Sequence, residues 1–183
     1  YVVADVHGYY EELITALTEK GFFEDKEPHK LIVCGDLFDT PTPSKADCDF
    51  VRNVLSSLSP IEVFIVCGNH DYMCSQSPFA RQDYFSDNVH IFPCFEHSFT
   101  LKDTGAVIWG KSYSTSSITP SFSDCSFDES KINIMCFHGD LTFGSDYNII
   151  KKEVLSSIPC NYAAFGHIHN GEVFDINKIK CAY

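Results

Sequence analysis

The chain has 183 residues, a formal net charge of −12, and 44% hydrophobic against 21% charged residues. These values are typical of one globular domain with a sizeable core, so we expect a single domain over residues 1–183, trimmed at both ends. The acidic balance argues against unaided nonspecific binding to nucleic acid, because a negative surface repels phosphates. No apolar run is long enough for a membrane span, so no membrane partner is expected.

The first half of the chain alternates between strand and helix patterns. In order, they are a strand over residues 1–4, a helix over 8–20, a strand over 30–34, a helix over 46–58 and a strand over 62–67. Ser44 is placed to cap the second helix, and Pro60 follows its end. This order predicts parallel strands joined by right-handed crossovers.

The second half is richer in strand patterns. They cover residues 89–92, 97–101, 106–110, 132–137, 162–165, 172–176 and 178–182. Residues 146–157 predict one helix, and the serine-rich residues 112–130 predict a loop, with a lid that faces the substrate as the alternative. Two β-rich halves covered by helices predict an α/β fold, a four-layer α/β/β/α sandwich with mixed sheets.

The nine cysteines include no C-x-x-C pair, and several lie inside apolar runs, such as Cys34, Cys67 and Cys136. A cysteine in an apolar run usually behaves as a small buried hydrophobe. We therefore predict reduced, structural cysteines and a cytoplasmic location.

Five short polar motifs each follow an apolar run. They are Asp5-x-His7, Gly35-Asp36-x-x-Asp39, Gly68-Asn69-His70-Asp71, Phe137-His138-Gly139-Asp140 and Gly166-His167-x-His169. Open α/β sheets place their ligand sites at the carboxyl ends of strands, so we expect these motifs to meet at one edge. The glycines allow a sharp turn and a close approach of the backbone to an ion.

The side chains of these motifs predict a site for two divalent metal ions. Carboxylate, carboxamide and imidazole ligands suit manganese, iron(II) or zinc, and no thiolate is implicated. An aspartate can bridge two ions, and ions about 3.5–4 Å apart can deprotonate a water and neutralise charge on a phosphate. An imidazole outside the coordination shell can protonate the leaving oxygen.

Each motif alone also has a structural interpretation. An isolated D-x-H is common, the next two motifs contain turn residues, and the last could be a loop with two exposed histidines. Their joint occurrence, in order and after strands, favours the metal site. We expect His29, His90 and His97, outside the motifs, to be surface or structural residues. Asp71 and Asp140 either orient ligands or cap turns.

The five motifs resemble those of the calcineurin-like metallophosphoesterase superfamily, over nearly the whole chain. The resemblance implies the four-layer metallophosphoesterase sandwich and a dinuclear site. The implied ligands of the first ion are Asp5, His7, Asp36 and His169, and those of the second are Asp36 as a bridge with Asn69, His138 and His167. The resemblance also implies that His70 is the catalytic histidine and that Asp39 orients it.

Two branches of the superfamily share features with this chain. The opening Asp-Val-His-Gly and the helix after it resemble phosphoprotein-phosphatase-like members. Those members carry Arg and Glu where this chain has Thr40 and Asp71, and loss of the Arg removes a bidentate phosphate clamp. Residues 35–44 and 68–72 instead resemble the DNA-repair exonuclease branch. That branch normally adds a DNA-binding cap and a partner-binding tail, and this chain has neither in full.

We therefore expect a dinuclear phosphoesterase that hydrolyses phosphodiester bonds, in nucleic acid or nucleotides, through a metal-bridging hydroxide. The expected cofactors are two divalent ions, manganese first, with iron or zinc as alternatives. The expected partner is a phosphate-ester substrate, and the net charge does not support nucleic acid. A phosphomonoesterase or protein-phosphatase-like enzyme, and a non-catalytic scaffold of the same fold, remain as alternatives.

Overall fold

The structure is a computed structural model that describes residues 1–81, 83–118, 125–141 and 148–183. Its elements are β1 (Val2–Val3), α1 (Tyr10–Glu19), β2 (Leu31–Cys34), α2 (Lys45–Ser57), β3 (Val63–Val66), β4 (Val89–Ile91), β5 (His97–Thr100), β6 (Val107–Gly110), β7 (Asn133–His138), α3 (Lys152–Ser156), β8 (Tyr162–Gly166), β9 (Val173–Ile176) and β10 (Ile179–Ala182). A short 3₁₀ helix, Pro78–Ala80, precedes β4. In the described part of the chain, no helix has the length and apolar character needed to cross a membrane.

The first sheet contains β1, β2, β3 and β4 in that order, and all its strand pairs are parallel. Helices α1 and α2 cover its outer face, where Leu17 and Leu55 pack with Leu31 and Ile65. Ser44 caps α2 as predicted, since its Oγ accepts the N–H of Asp47. The sequence pattern groups β4 with the second half of the chain, whereas β4 pairs with β3 and completes the first sheet.

The second sheet has the strand order β5-β6-β7-β8-β10-β9. Its central pairs are parallel, and β5 and β9 are antiparallel to their neighbours. The predicted mixed character therefore applies to this sheet, while the first sheet is parallel throughout. Leu155 of α3 packs against its outer face with Phe137 and Phe165.

The helix predicted over residues 146–157 is shorter in the structure. It begins at Lys152, because the backbone just before Lys152 pairs with the segment that contains Asp140. The N–H of Asp140 donates to the carbonyl of Asn148, and the N–H of Ile150 donates to the carbonyl of Asp140. Residues 146 and 147 lie outside the described residues. No helix or strand forms in residues 112–118 and 125–130, which agrees with the predicted loop, and residues 119–124 are not described.

A third apolar cluster lies between the sheets. Ile32 and Phe64 from the first sheet pack there with Ile108, Cys136 and Ala164 from the second. With helices on both outer faces, the predicted α/β/β/α layers are confirmed. All nine cysteines lie within the described residues and none forms a disulfide, as predicted. Five of them lie in this cluster or in the two clusters beneath the helices.

Candidate metal centre

The polar motifs meet where the carboxyl ends of the parallel strands of both sheets come together. Asp5 follows β1, Asp36 follows β2 and Asn69 follows β3. His138 ends β7 and His167 follows β8. The two sheets are joined here, because the carboxylate of Asp5 accepts the backbone N–H of His167 at 2.8 Å. The sequence-based expectation that the motifs share one edge is therefore met by the geometry.

Several of these residues adopt a backbone conformation that is unfavourable for a side chain. The φ angles are +52° at Asp5, +46° at His7, +38° at Asp36 and +90° at His167. A non-glycine residue in such a conformation costs on the order of 1–3 kcal/mol, and such residues cluster at functional sites. These strained residues lie after strand ends, where the backbone turns their polar side chains into the site.

Two glycines are required by close contacts with the same side chains. A Cβ at Gly35, which has φ +96°, would lie 1.9 Å from Nδ1 of His138. A Cβ at Gly68 would lie 2.2 Å from Oδ1 of Asp36. Only residues without a side chain fit at these two positions, which explains why a glycine stands between the strand and the polar residue in both motifs.

One group of donor atoms combines an amide oxygen with two imidazoles. Nε2 of His138 lies 2.6 Å from Oδ1 of Asn69 and 3.2 Å from Oδ2 of Asp36. Nδ1 of His167 lies 3.1 Å from the same Asn69 oxygen. His138 is buried, and its Nδ1 faces the carbonyl of Cys34 at 3.3 Å. These are the residues that the resemblance assigns to the second ion.

A second group combines Asp5, His7 and His169, each of which can offer one ligand atom within 4.8 Å of the others. Nδ1 of His7 donates to Oδ1 of Asp39 at 3.1 Å, which leaves Nε2 as the inward-facing nitrogen. That Nε2 atom is buried, has no hydrogen-bond partner among the described residues and lies 3.7 Å from Oδ2 of Asp36. A buried nitrogen lone pair beside a carboxylate is an arrangement that a cation completes.

Asp36 is common to both sides of the site. It forms one possible metal group with His7 and His70 and another with Asp5 and His138. Its Oδ1 accepts the backbone N–H of His70 at 2.9 Å, and its Oδ2 faces His7 and His138. The donor set and the central carboxylate therefore fit two divalent ions of the kind that take mixed oxygen and nitrogen ligands.

The electrostatics of the site reflect this crowding. Burial opposes the charge of Asp36, but the hydrogen bond and positive charge of His138 lower the pKa of this carboxyl. Burial likewise opposes the charge of His138, yet contact with Asp36 and the charge of Asp5 raise its pKa. Burial raises the pKa of Asp5, and burial with nearby His138 lowers that of His167. The buried carboxylates thus stabilise a positive charge among them.

His70 and Asp39 lie at the solvent side of the site. Nδ1 of His70 is 3.3 Å from Oδ1 of Asp39, the same oxygen that accepts from His7. The His70 ring packs edge-to-face on His7, with centroids 4.7 Å apart. Asp39 therefore contacts a candidate metal ligand as well as the candidate catalytic histidine, a double role that the sequence did not indicate.

Asp71 holds the backbone of two motifs. Its two carboxylate oxygens accept the N–H groups of Leu37, Phe38 and Gly68, at 2.8, 3.1 and 2.7 Å. Burial, together with the charge of Asp36, raises the pKa of Asp71 to about 7. Of the two roles left open for it, the contacts favour orientation of the ligand loops. Asp140 is buried and pairs with residues 148 and 150 through its backbone.

Two tyrosines that sequence reasoning missed fix the backbone around His138. The hydroxyl of buried Tyr113 donates to the carbonyl of His138 at 2.5 Å. The hydroxyl of Tyr183 donates to the carbonyl of Gly139 at 3.1 Å and accepts the N–H of Leu141. Both lie outside the motifs. Tyr113 is a large aromatic residue in the serine-rich segment, and this was the one feature of the sequence that could have indicated its role.

The histidines outside the motifs lie in aromatic surroundings. His29 packs edge-to-face on Phe22, His90 stacks on Phe64, and His97 contacts Phe99. None of the three is in a group of possible metal ligands within the described residues. Their predicted structural role agrees with these contacts.

The candidate site opens into a cavity of about 630 Å³. Its lining residues are Asp5, His7, Gly8, Tyr9, Asp39, His70 and His169. The cavity therefore borders the first donor group and His70, while Asn69 and His138 stay buried beneath.

Comparison with known proteins assigns the family. The family described as calcineurin-like phosphoesterase matches residues 1–171, so the chain belongs to that family of metal-dependent phosphoester hydrolases. A search of curated proteins found no match. Among solved structures, the chain is similar to a phosphopantetheinyl hydrolase from Mycobacterium tuberculosis, with a TM-score of 0.53 and 13% sequence identity. That alignment covers 99% of this chain and 86% of the other, and it supports the fold alone.

Proposed function

We propose that this chain is a dinuclear phosphodiesterase whose two ions share Asp36. The observation that carries the proposal is the pair of donor groups on either side of this carboxylate. Asp5, His7 and His169 would hold one ion, and Asn69, His138 and His167 the other. Bound there, the ions would supply an activated water and neutralise charge on the phosphoryl group. Manganese is the proposed metal, with iron or zinc as alternatives.

The side chains at the entrance of the site would protonate the leaving group. Asp39 would accept from Nδ1 of His70, which directs Nε2 into the cavity. From Nε2, a proton would pass to the leaving oxygen as its bond to phosphorus breaks. Asp39 would also hold the tautomer of His7 that presents Nε2 inward.

The charge of the cavity favours a diester over a monoester. The described residues that line it include two aspartates and three histidines but no lysine or arginine. A phosphomonoester carries up to two negative charges, and a phosphodiester carries one, so the diester requires less compensation by protein cations. Thr40 stands where phosphoprotein-phosphatase-like members carry arginine. A phosphomonoesterase activity is therefore the second candidate function.

A substrate panel tests the proposal. The purified protein, loaded with manganese, would be assayed on bis(p-nitrophenyl) phosphate and p-nitrophenyl phosphate, then on cyclic nucleotides, single- and double-stranded DNA and a phosphopantetheinyl ester. We expect the diester to be hydrolysed with the higher kcat/KM. Asp36→Asn should lose activity and metal together, whereas the control His29→Asn should keep both.

Three outcomes would change the assignment. Preference for the monoester would favour the phosphatase alternative, and preference for DNA would favour the exonuclease branch despite the net charge of −12. No hydrolysis of any ester by protein with two bound ions would favour the non-catalytic scaffold. A cytoplasmic location stays a prediction from cysteine usage.

A further inference from the structure

A second cavity adjoins the candidate metal centre. It has a volume of about 450 Å³ and is lined by residues 8–12, Ala46, Asp47 and Phe50. Gly8 and Tyr9 line both this cavity and the one at the metal centre. A ligand with its phosphoryl group at the metal centre can therefore extend past Tyr9 into the second cavity.

Tyr9 occupies a position that favours a small polar residue. It is the N-cap of α1, where Ser, Thr, Asp or Asn would bond a free N–H of the first turn. Its side chain forms no such bond, and 66% of Tyr9 is exposed. A large aromatic side chain here adds neither a cap nor core packing. Such a conflict between local preference and structure is expected at functional positions.

The aromatic surface continues beyond Tyr9. Phe50 of α2 is 45% exposed, and its ring lies 5.4 Å from that of Tyr10, with 31° between the ring planes. Tyr10 in turn contacts buried Phe38, which anchors the pair to the core. The second cavity therefore has a fixed aromatic wall, with the freely exposed ring of Tyr9 at its entrance.

The charge around this cavity determines which ligands fit. Among the described residues, its lining includes Glu11, Glu12 and Asp47, all exposed, and no lysine or arginine. A further phosphate or carboxylate on the ligand would meet these carboxylates and be repelled. An uncharged or cationic group avoids this repulsion, and a planar ring gains by stacking on aromatic side chains.

We propose that Tyr9 and the Tyr10–Phe50 pair form a subsite for a planar aromatic, non-anionic part of the phosphoester substrate. The inference rests on the proposed function only in placing the phosphoryl group at the metal centre. The subsite therefore favours phosphate esters of aromatic or nucleoside-like groups. The part of such a substrate that enters the second cavity carries no further negative charge. A polynucleotide chain running through the second cavity is disfavoured, since its phosphates would lie beside the three carboxylates.

Non-hydrolysable phosphonates test the subsite by binding alone. Calorimetry on the manganese-loaded protein would use phosphonate monomethyl esters, which carry one negative charge as a phosphodiester does. It would compare methyl benzylphosphonate with methyl cyclohexylmethylphosphonate, which is of similar size but not planar, and with methyl 4-carboxybenzylphosphonate. We expect the benzyl ligand to bind about fivefold more tightly than the cyclohexyl ligand. The carboxybenzyl ligand should bind more weakly than the benzyl ligand.

Variants assign the preference to Tyr9. Tyr9→Leu should abolish the benzyl-over-cyclohexyl ratio, and Tyr9→Phe should keep it, because Phe retains the ring. Phe23→Leu removes another exposed aromatic ring, outside both cavities, and should leave the ratio unchanged. Thermal melts would confirm that each variant is folded. If Tyr9→Leu does not fold, Tyr9→Phe still tests whether the aromatic ring is sufficient for the benzyl-over-cyclohexyl ratio.

The proposal is overturned if the benzyl and cyclohexyl ligands bind equally, or if no phosphonate binds. It is also overturned if the ratio survives in Tyr9→Leu or is lost in Tyr9→Phe, or if the carboxybenzyl ligand binds most tightly. Failure of the proposed function gives a different result. Protein that shows the ratio but hydrolyses no diester would retain the subsite and contradict only the phosphodiesterase assignment.

Discussion

Oδ1 of Asn69 lies 2.6 Å from Nε2 of His138, although the two residues are 69 positions apart in the chain. Asn69 follows the third strand of the parallel sheet, and His138 ends the third strand in the order of the mixed sheet. The contact therefore exists only when the two sheets are packed together. Formation of the site and packing of the central core layer are consequently coupled.

Removal of metal should lower the stability of the protein. Asp5 and Asp36 are both largely buried at the site, and carboxylates at short range repel each other. Ions that bind only the folded state stabilise it by about 2.7 kcal/mol at 100 times their Kd, which corresponds to roughly 5–10 °C in Tm. Melting curves with and without chelator, followed by manganese addition, measure this shift. An unchanged Tm after metal removal verified by elemental analysis would contradict it.

His70→Ala should retain both ions yet lose turnover. The side chain of His70 is half exposed at the cavity, and the resemblance assigns it no metal, so its loss removes a proton donor. We expect kcat to fall by about 10²–10⁴-fold on substrates with poor leaving groups. The loss should be smaller with p-nitrophenolate, which needs little protonation. Metal content by elemental analysis is the companion measurement, and loss of the ions in this variant would show that the assigned role is wrong.

Gly35→Ala and Gly105→Ala form a matched pair. Both glycines have positive φ, +96° and +72°, but a Cβ at Gly35 would overlap the His138 ring. A Cβ at Gly105 would have no described residue within 4 Å apart from its chain neighbours. Gly105→Ala should therefore cost only backbone strain, about 1–2 kcal/mol. Gly35→Ala should cost about 3 kcal/mol or more, and should also weaken manganese binding. Chemical denaturation and a manganese titration separate the two effects, and equal losses in both variants would exclude the steric account.

Tyr113→Phe should weaken metal binding from outside the coordination shell. The substitution leaves the buried carbonyl of His138 without the hydroxyl that now donates to it at 2.5 Å. We expect a loss of about 1–3 kcal/mol in unfolding free energy and about tenfold in manganese affinity. Tyr1→Phe is the control, because its hydroxyl donates to Asp25 and neither lies in a possible metal group. Unaltered affinity in Tyr113→Phe would show that the bond supports only the fold.

The sequence predicted the strands well because a buried strand depends on a local pattern. A buried strand appears in the sequence as an apolar run, and a candidate ligand that follows it appears as a polar residue after glycine, as at Asp36. The match to the calcineurin-like phosphoesterase family and the observed α/β/β/α layers agree with this sequence-based prediction of the fold. The identity of the seven ligands and their assignment to two ions stay predictions.

Other features depend on partners that are distant in the chain. The position of β4 is fixed by its pairing with β3, and the start of α3 is delayed because Ile150 pairs with Asp140. The second contact of Asp39 with His7 and the bond from Tyr113 to His138 join separate loops. No local pattern reports such contacts, so the sequence alone could not predict them.

Anomalous diffraction from manganese-loaded crystals tests the central claim most directly. The account predicts two peaks about 3.5–4 Å apart, bridged by Asp36. Asp5, His7 and His169 should ligate one ion, and Asn69, His138 and His167 the other. A single peak, or ions that leave two or more of these seven side chains beyond coordination distance, would contradict it.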